Sequence, residues 1–593
     1  MQLSTLDWSI VGIYFLIVLA VGLYFSKKSS SSLNEFFLSG RNMPWWLLGI
    51  SMVATTFSSD TPNLVAGLVR ENGVSGNWGW WAFLVTGMLT VFVYAKLWRR
   101  SEVLTDIEFY ELRYSGNAAA FLRGFRALYL GLIFNVLVMG TVSLAAIKFG
   151  EIVLGLEGWK TLLIAGTVTI SYSTLGGLKA VIITDFVQFT LAMIGSIWAA
   201  IYIVNLPEVG GLDALLTHVN VAPKLSMLPD MSNPDIWVPV LLVPLAVQWW
   251  ASYYPGSEPG GGGYIAQRMF SAKDEKNAIG ATLLYNVAHY ALRPFPWILI
   301  ALASLVVFPE LSDISSVFPT LSADKVGHDI AYPAMLTKLP SGLLGLVAAS
   351  LIAAFMSTMS TQMNLGASYL VNDFYKRFIK PEASQKELIN VAKGFTVISA
   401  ILGMGLGLIL TDATQAFNLL LLLGAGTGAI YILRWFWWRI NAMTEIVAMV
   451  ASLVIASYFT FANHGLEGWQ TLVLGAILTT IVWVVSTFIT EPTDEETLRN
   501  FYKKIRPSGS GWDHVIQKAK ADGVEIRKEK SQLPLELLCW LVGCVAVYSA
   551  LFATGNWIYG NTGLATILTV VSVLGGAFLF KAWGSLQTDS IDS

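Results

Sequence analysis

Ala354, Ser357, Thr358, Thr361, Asn364 and Ser368 fall at spacings of three and four within AAFMSTMSTQMNLGAS, so they share one helical face, with Ser360 beside them. A second supply of oxygens lies in ATTFSSDTPNLVAG, residues 54–67, where a carboxylate, a proline and five hydroxyl residues interrupt an apolar stretch running from Pro44 to Val69. Neutral carbonyl and hydroxyl oxygens suit a hard cation held weakly enough to be released, such as sodium, whereas a charged carboxylate cage would bind well and release poorly. The stripe also fits a plain contact between membrane helices, where Ser and Thr are common.

The elements that must carry these residues span a membrane. Apolar residues make up 55% of the 593, charged ones 13%, and the mean hydropathy is +0.61, more than a water-exposed surface of this size tolerates. Separate runs of about 20 apolar residues each suffice for a helical span, and about fifteen such runs occur, near 7–26, 44–70, 78–98, 121–150, 159–175, 179–204, 236–270, 276–308, 342–375, 388–411, 414–438, 443–462, 470–490, 534–554 and 563–582. The run from Trp8 to Phe25 lacks a basic leader and a small-residue cleavage site, so it is expected to be a retained span. Cys539 and Cys544 share one late span and are expected to pack as small apolar residues.

Two spans cannot be continuous. The second carries the interruption above, and the seventh reads VQWWASYYPGSEPGGGGYIAQR, residues 247–268, with two prolines and five glycines. Unwound backbone is tolerated at membrane depth only where protein or a wet cavity satisfies it, so both breaks mark a cavity. Each break opens a set of five helices, and corresponding breaks in two halves point to an inverted-repeat secondary transporter with its site at the midplane. The expected architecture is therefore an all-α membrane protein: 1–43 an accessory helix and loop, 44–204 and 205–438 two inverted five-helix repeats, and 439–593 C-terminal helices with a polar linker at 491–532.

Basic residues cluster in alternate connections: Lys27, Lys28 and Arg41; Arg99, Arg100 and Arg113; Arg268, Lys273 and Lys276; Lys376, Arg377 and Lys380; and Lys503, Lys504, Arg506, Lys518 and Lys520. These connections are expected to be cytoplasmic, placing the N-terminus outside a plasma or inner membrane and the C-terminus inside. The net charge of −2 gives no reason to expect nucleic acid, and no obligatory protein partner is evident. No zinc-type His spacing, nucleophile elbow or phosphate loop suggests an enzyme; the tetraglycine at 260–263 lacks the Lys-Ser/Thr of a phosphate loop. A sodium-conducting channel would explain the polar stripe but does not require paired breaks.

The strings SMVATTFSSDT, TLGGLKAVIITDFVQF, AAFMSTMSTQMN and RWFWWRINAMTE resemble the recurring motifs of the sodium/solute symporter family, which includes sodium/glucose, sodium/proline and sodium/sialic acid cotransporters, over roughly residues 5–490. The resemblance implies the leucine-transporter-type fold of five plus five helices. It also implies sodium symport of a small polar solute, a sugar first and an organic anion or carboxylate second. By the same resemblance the principal sodium site corresponds to the backbone oxygens of Ala54, Phe57 and Ala354 with the hydroxyls of Ser357 and Thr358, and a second site of some members to Asp185, Ser357, Ser360 and Thr361. Asp185 also fits a plain N-terminal helix charge near the GGLKAV turn.

For the solute, the resemblance implies a gate at Tyr254 with Tyr253 beside it, and contacts at Asp60, Thr61 and Tyr290, with Gln415 and Asn418 near another contact region. Where a galactose-transporting member has a lysine this chain has Tyr290, flanked by His289 and Arg293, and Ala251 replaces an asparagine. Trp78 of NWGWW can stack on a sugar ring, although Trp78, Trp80 and Trp81 also suit an interfacial belt. Arg293 should pair with an acid or face water: an ion pair with Asp60 or Glu258 favours a neutral polyol, a free guanidinium favours a carboxylate, and a structural role near the proline-broken helix end is the third reading.

Overall fold

The computed structural model describes residues 3–584 apart from Pro255, 319–325, 411–425, Asn463, Glu529 and Lys530. Among the described residues no strand forms, and one isolated backbone bridge joins Met43 to Ala272. The spans are α1 Thr5–Ser29, a broken pair α2 Trp45–Thr56 and α3 Asp60–Asn72, then α4 Val74–Ser101, α5 Gly116–Leu154 and α6 Gly158–Val204. A second broken pair, α7 Pro234–Ala251 and α8 Gly263–Ser271, precedes α9 Glu275–Val307, α10 Leu343–Ile379, α11 Gln385–Gly407 and α12 Gly428–Leu433. The chain continues through α13 Ala442–Phe461, α14 Gly468–Ile489, α15 Leu533–Ile558 and α16 Thr562–Trp583. Most of the expected eleventh span, 414–438, lies outside the described residues, α12 being the helix described in it.

At 1.5 Å per residue α6 would be about 70 Å long, twice the hydrocarbon core, so it must hold two spans. They meet at Gly177, whose φ of 56° and ψ of −163° turn the chain without a loop. A Cβ there would stand 2.8 Å from the Phe36 carbonyl oxygen, which together with the positive φ restricts the position to glycine.

Both breaks expected from the sequence are present. Phe57 ends α2 with φ −92° and ψ 86°, and α3 restarts at Asp60. Residues 252–262 separate α7 from α8. The freed groups find protein partners, as lipid requires: Trp98 Nε1 donates to Gly260 O at 2.8 Å, Tyr285 Oη to Gly256 O at 3.1 Å, and Gly426 N to Ala251 O at 2.8 Å.

Burial follows the same logic. Side chains of α10 from Leu343 to Asp373 are buried almost without exception, while α1, α13, α14 and α16 present exposed Ile, Leu and Phe such as Leu16, Phe461, Ile489 and Phe580. Apolar faces of that extent on a spanning helix are lipid contacts. Helix α15 packs along α4 through a buried Lys96–Glu536 ion pair, with Trp540 Nε1 donating to Val85 O at 2.9 Å and Tyr548 Oη to Trp81 O at 2.9 Å.

Candidate functional site

The break in the second span faces the hydroxyl stripe of α10. A helix end strands its last carbonyls, and here side chains take two of them: Thr358 Oγ1 donates to Thr55 O at 2.8 Å and Thr61 Oγ1 to Thr56 O at 3.2 Å. Thr55 and Thr361 share a hydroxyl contact of 3.1 Å across the same interface. Ala54, Phe57, Ala354, Ser357 and Thr358 are all buried at this junction, and the bond from Thr358 to Thr55 O joins the two elements there. Ser360, also buried, donates to Ser357 O at 2.9 Å.

Asp185 lies one helix away and is fully buried. Ser357 Oγ donates to its Oδ1 at 2.6 Å and Ser51 Oγ to its Oδ2 at 2.5 Å. Its partner in charge is Arg268, whose Nη2 stands 3.6 Å from Oδ2 with both side chains at 0% exposure. Asp185 sits eight residues beyond the Gly177 bend, past the single turn over which a helix terminus acts; the N-terminal reading of this residue is therefore set aside. A second correction concerns Arg268. Counted in sequence as loop charge beside Lys273 and Lys276, it is buried on α8 because Asp185, Ser51, Thr361 and Gln267 surround it with acceptors.

Next to the break a cavity of about 110 Å³ opens, against the roughly 10–15 Å³ that one water needs. Its walls include Asp60, Trp80, Tyr254, His289, Tyr290 and Arg293. Thr56, Thr61, Thr358 and Gln362 also reach it, so the cavity and the oxygen cluster share a boundary. Tyr254 stacks on Phe83 at 5.5 Å, and Trp80 stacks on Tyr290 at 5.9 Å while meeting His289 edge-on at 5.4 Å.

Arg293 bridges cavity and break. Its Nη1 donates to Val53 O at 3.3 Å and to Thr56 Oγ1 at 3.2 Å, and Nη2 lies 3.4 Å from His289 Nε2. If Nε2 accepts that bond, His289 is a neutral imidazole with its proton on Nδ1, 3.1 Å from Thr56 Oγ1. The guanidinium carbon also sits 5.3 Å from the Trp297 ring centroid. Among the described residues no carboxylate, Asp60 and Glu258 included, comes within 4.0 Å of Arg293. Of the three readings, the ion pair with Asp60 or Glu258 is thus not formed, and neutral acceptors hold the guanidinium.

Two other expectations for the solute contacts shift. Trp78 turns away from the cavity: its Nε1 donates to Met227 O at 3.0 Å and its ring packs on Trp81, Tyr548 and Phe552. Trp80 lines the wall in its place, and with Trp81 fully buried the interfacial-belt reading does not hold for this cluster. Tyr253 faces a different cavity of about 200 Å³, where its ring meets Tyr431 at 5.3 Å and Arg126 at 5.7 Å. Gln415 and Asn418 lie outside the described residues. Residues the sequence reading missed include Ser51, Thr55, Thr56 and Gln362. Ser51 and Thr55 are four apart on α2, as Thr358 and Gln362 are on α10, so continuing each face by one turn finds them.

A family model described as the sodium:solute symporter family matches residues 36–454. A sodium/glucose cotransporter of Vibrio parahaemolyticus is 26% identical over 517 residues, covering 83% of this chain and 92% of its own length. The human sodium/myo-inositol cotransporter is 28% identical over 502 residues, covering 77% and 67% respectively. The solved substrate-bound outward-open state of a Na+-coupled sialic acid symporter superposes with a TM-score of 0.65 at 19% identity, over 83% of this chain and 99% of that one, which shows a shared fold.

Proposed function

The chain belongs to the sodium:solute symporter family, whose members are membrane transporters and not enzymes, and we propose that it couples sodium entry to uptake of a neutral sugar or polyol. The observation that carries the reading is the junction of α2 with α10, where the Thr358 hydroxyl bonds Thr55 O at the broken end beside a polar, aromatic-lined cavity. Sodium binds at the Ala54, Phe57 and Ala354 carbonyls and the Ser357 and Thr358 hydroxyls. Coordination there joins α2 to α10 and favours the state open to the outside. The solute then enters between the broken helices, with Asp60 accepting from its hydroxyls, Arg293 addressing its oxygens, and the Trp80 and Tyr254 rings covering its C–H faces.

The two five-helix sets, 44–204 and 205–438, rock about this site, and weak neutral ligands release sodium on the cytoplasmic side. The N-terminus lies outside a plasma or inner membrane and the C-terminus inside. One sodium entering down about 100 mV gains roughly 2.3 kcal/mol, and a tenfold gradient adds about 1.4 kcal/mol, enough to concentrate a neutral solute about 500-fold.

A second reading, an acidic sugar, rests on one observation: Arg293 has no carboxylate partner within 4.0 Å among the described residues. Uptake of glucose, galactose, myo-inositol and a sialic acid into sodium-energised proteoliposomes separates the two. Accumulation of a neutral member supports the proposal; accumulation of the acid alone transfers the assignment to the carboxylate class.

A further inference from the structure

Arg268 is the one charged partner within 4.0 Å of Asp185 among the described residues, and it reaches across the two halves of the protein to do so. It stands on α8, the second half of the seventh span. The groups it addresses belong to α2, α6 and α10: Nε donates to Ser51 Oγ at 3.2 Å, Nη2 to Thr361 Oγ1 at 2.7 Å and to Thr55 Oγ1 at 3.4 Å. Its Nη1 donates to Gln267 Oε1 at 3.1 Å. Of the four side chains that resemblance assigns to a second sodium, Asp185 and Thr361 are in contact with this guanidinium. Ser357 is bonded to Asp185 and Ser360 to Ser357 O.

We propose that the Arg268 guanidinium is a tethered cation that holds the place of a second sodium at Asp185, so that one sodium binds per chain. The inference rests on the sodium-coupled reading above. One carboxylate balances one cation in a pocket from which water is excluded. A sodium beside Arg268 would set two positive charges against a single negative one at low dielectric, where repulsion is scarcely screened. The group cannot escape by losing its proton, because an arginine keeps its charge in proteins. Its planar fork also matches a carboxylate and hydroxyls spread over several helices better than a spherical ion does. Replacing the guanidinium by a neutral side chain removes the resident charge and leaves Asp185 with two hydroxyls and no cation, which is a sodium site.

The test counts sodium itself and needs no solute. Equilibrium binding of radioactive sodium to purified full-length protein should give one ion per wild-type chain with a Hill coefficient of about one. Arg268→Gln should bind two with a Hill coefficient approaching two, Arg268→Lys should return to one, and Arg268→Gln combined with Asp185→Asn should also return to one. Two ions in the wild type, or one in folded Arg268→Gln, overturns the proposal. If Arg268→Gln does not fold, the wild-type count decides alone. No saturable sodium in the wild type would instead strike the sodium-coupled reading, so the two failures are told apart.

Discussion

Asp329→Asn should loosen one end of the transporter by an amount set by a single buried ion pair. Lys148, near the end of α5, places Nζ 2.8 Å from Asp329 Oδ2, with side chains only 3% and 12% exposed. Asp329 belongs to the short turn His328–Ile330 that lies on α3, where a Cβ added to Gly67 would stand 3.7 Å from Asp329 N. Arg70 of α3 reaches the same region, donating to Ser304 Oγ at 3.0 Å and Phe308 O at 2.9 Å. The turn is thereby clamped over the half-helix that contributes Asp60, Leu64 and Val65 to the cavity. Removing one member of a buried pair costs about 3–5 kcal/mol. The amide oxygen of asparagine still accepts from Lys148 and Asp329 is slightly exposed, so the lower end applies, about 3 kcal/mol or roughly 150-fold in a conformational equilibrium. Cys539 and Cys544 are buried, so a cysteine placed at cavity residue 257 can be followed with a membrane-impermeant thiol reagent. Asp329→Asn should speed labelling from the face carrying the 309–342 connection by up to that factor. An unchanged labelling rate together with an unchanged unfolding midpoint would refute the clamp.

Arg293→Gln should raise the half-saturating concentrations of solute and sodium together, each by at least about tenfold, because hydrogen bonds from a charged group are worth about 1.5–3 kcal/mol and Arg293 touches both the cavity and Val53 O; uptake kinetics at varied sodium check this. Gly256→Ala should abolish transport in membranes that still contain the protein, since Gly256 has φ +79° and an added Cβ would lie 1.9 Å from the Tyr264 hydroxyl. Glu536→Gln should lower the unfolding free energy by about 3 kcal/mol, the lower end for a buried pair, because the amide oxygen still accepts from buried Lys96. Transport per folded molecule should stay near wild type, because no residue of α15 lines the cavity beside the break. Unfolding in mixed detergent, set beside uptake normalised to folded protein, reads both effects.

The broken spans were legible because lipid leaves no freedom: Ser58, Ser59 and Asp60 within one apolar run, or Gly260 to Gly263 within another, have no other account at membrane depth. The hydroxyl stripe of α10 was equally readable from its spacing. Which faces meet was not readable. Trp78 and Trp80 differ by two positions, about 200° around a helix, so a small error of register chose the ring that packs on Tyr548 over the ring that lines the cavity. Tyr253 and Tyr254 follow Ser252, which is in extended conformation. Past it the chain is non-helical, so helical spacing does not say which way each ring points, and the two tyrosines face separate cavities. Arg268 was hidden for a different reason: a basic residue near a helix end resembles loop charge until the helix carrying Asp185 is known to lie against it.

The central claim is that sodium is gripped by neutral oxygens where α2 ends against α10. Tracer accumulation of the solute that the uptake panel identifies, measured in proteoliposomes with an inward gradient of sodium or of choline, tests it most directly for the wild type and for Ser357→Ala combined with Thr358→Ala. The account predicts concentrative uptake by the wild type in sodium only, and none by the double variant at normal protein abundance. Equal accumulation in choline, or full sodium-driven uptake by the double variant, would contradict it.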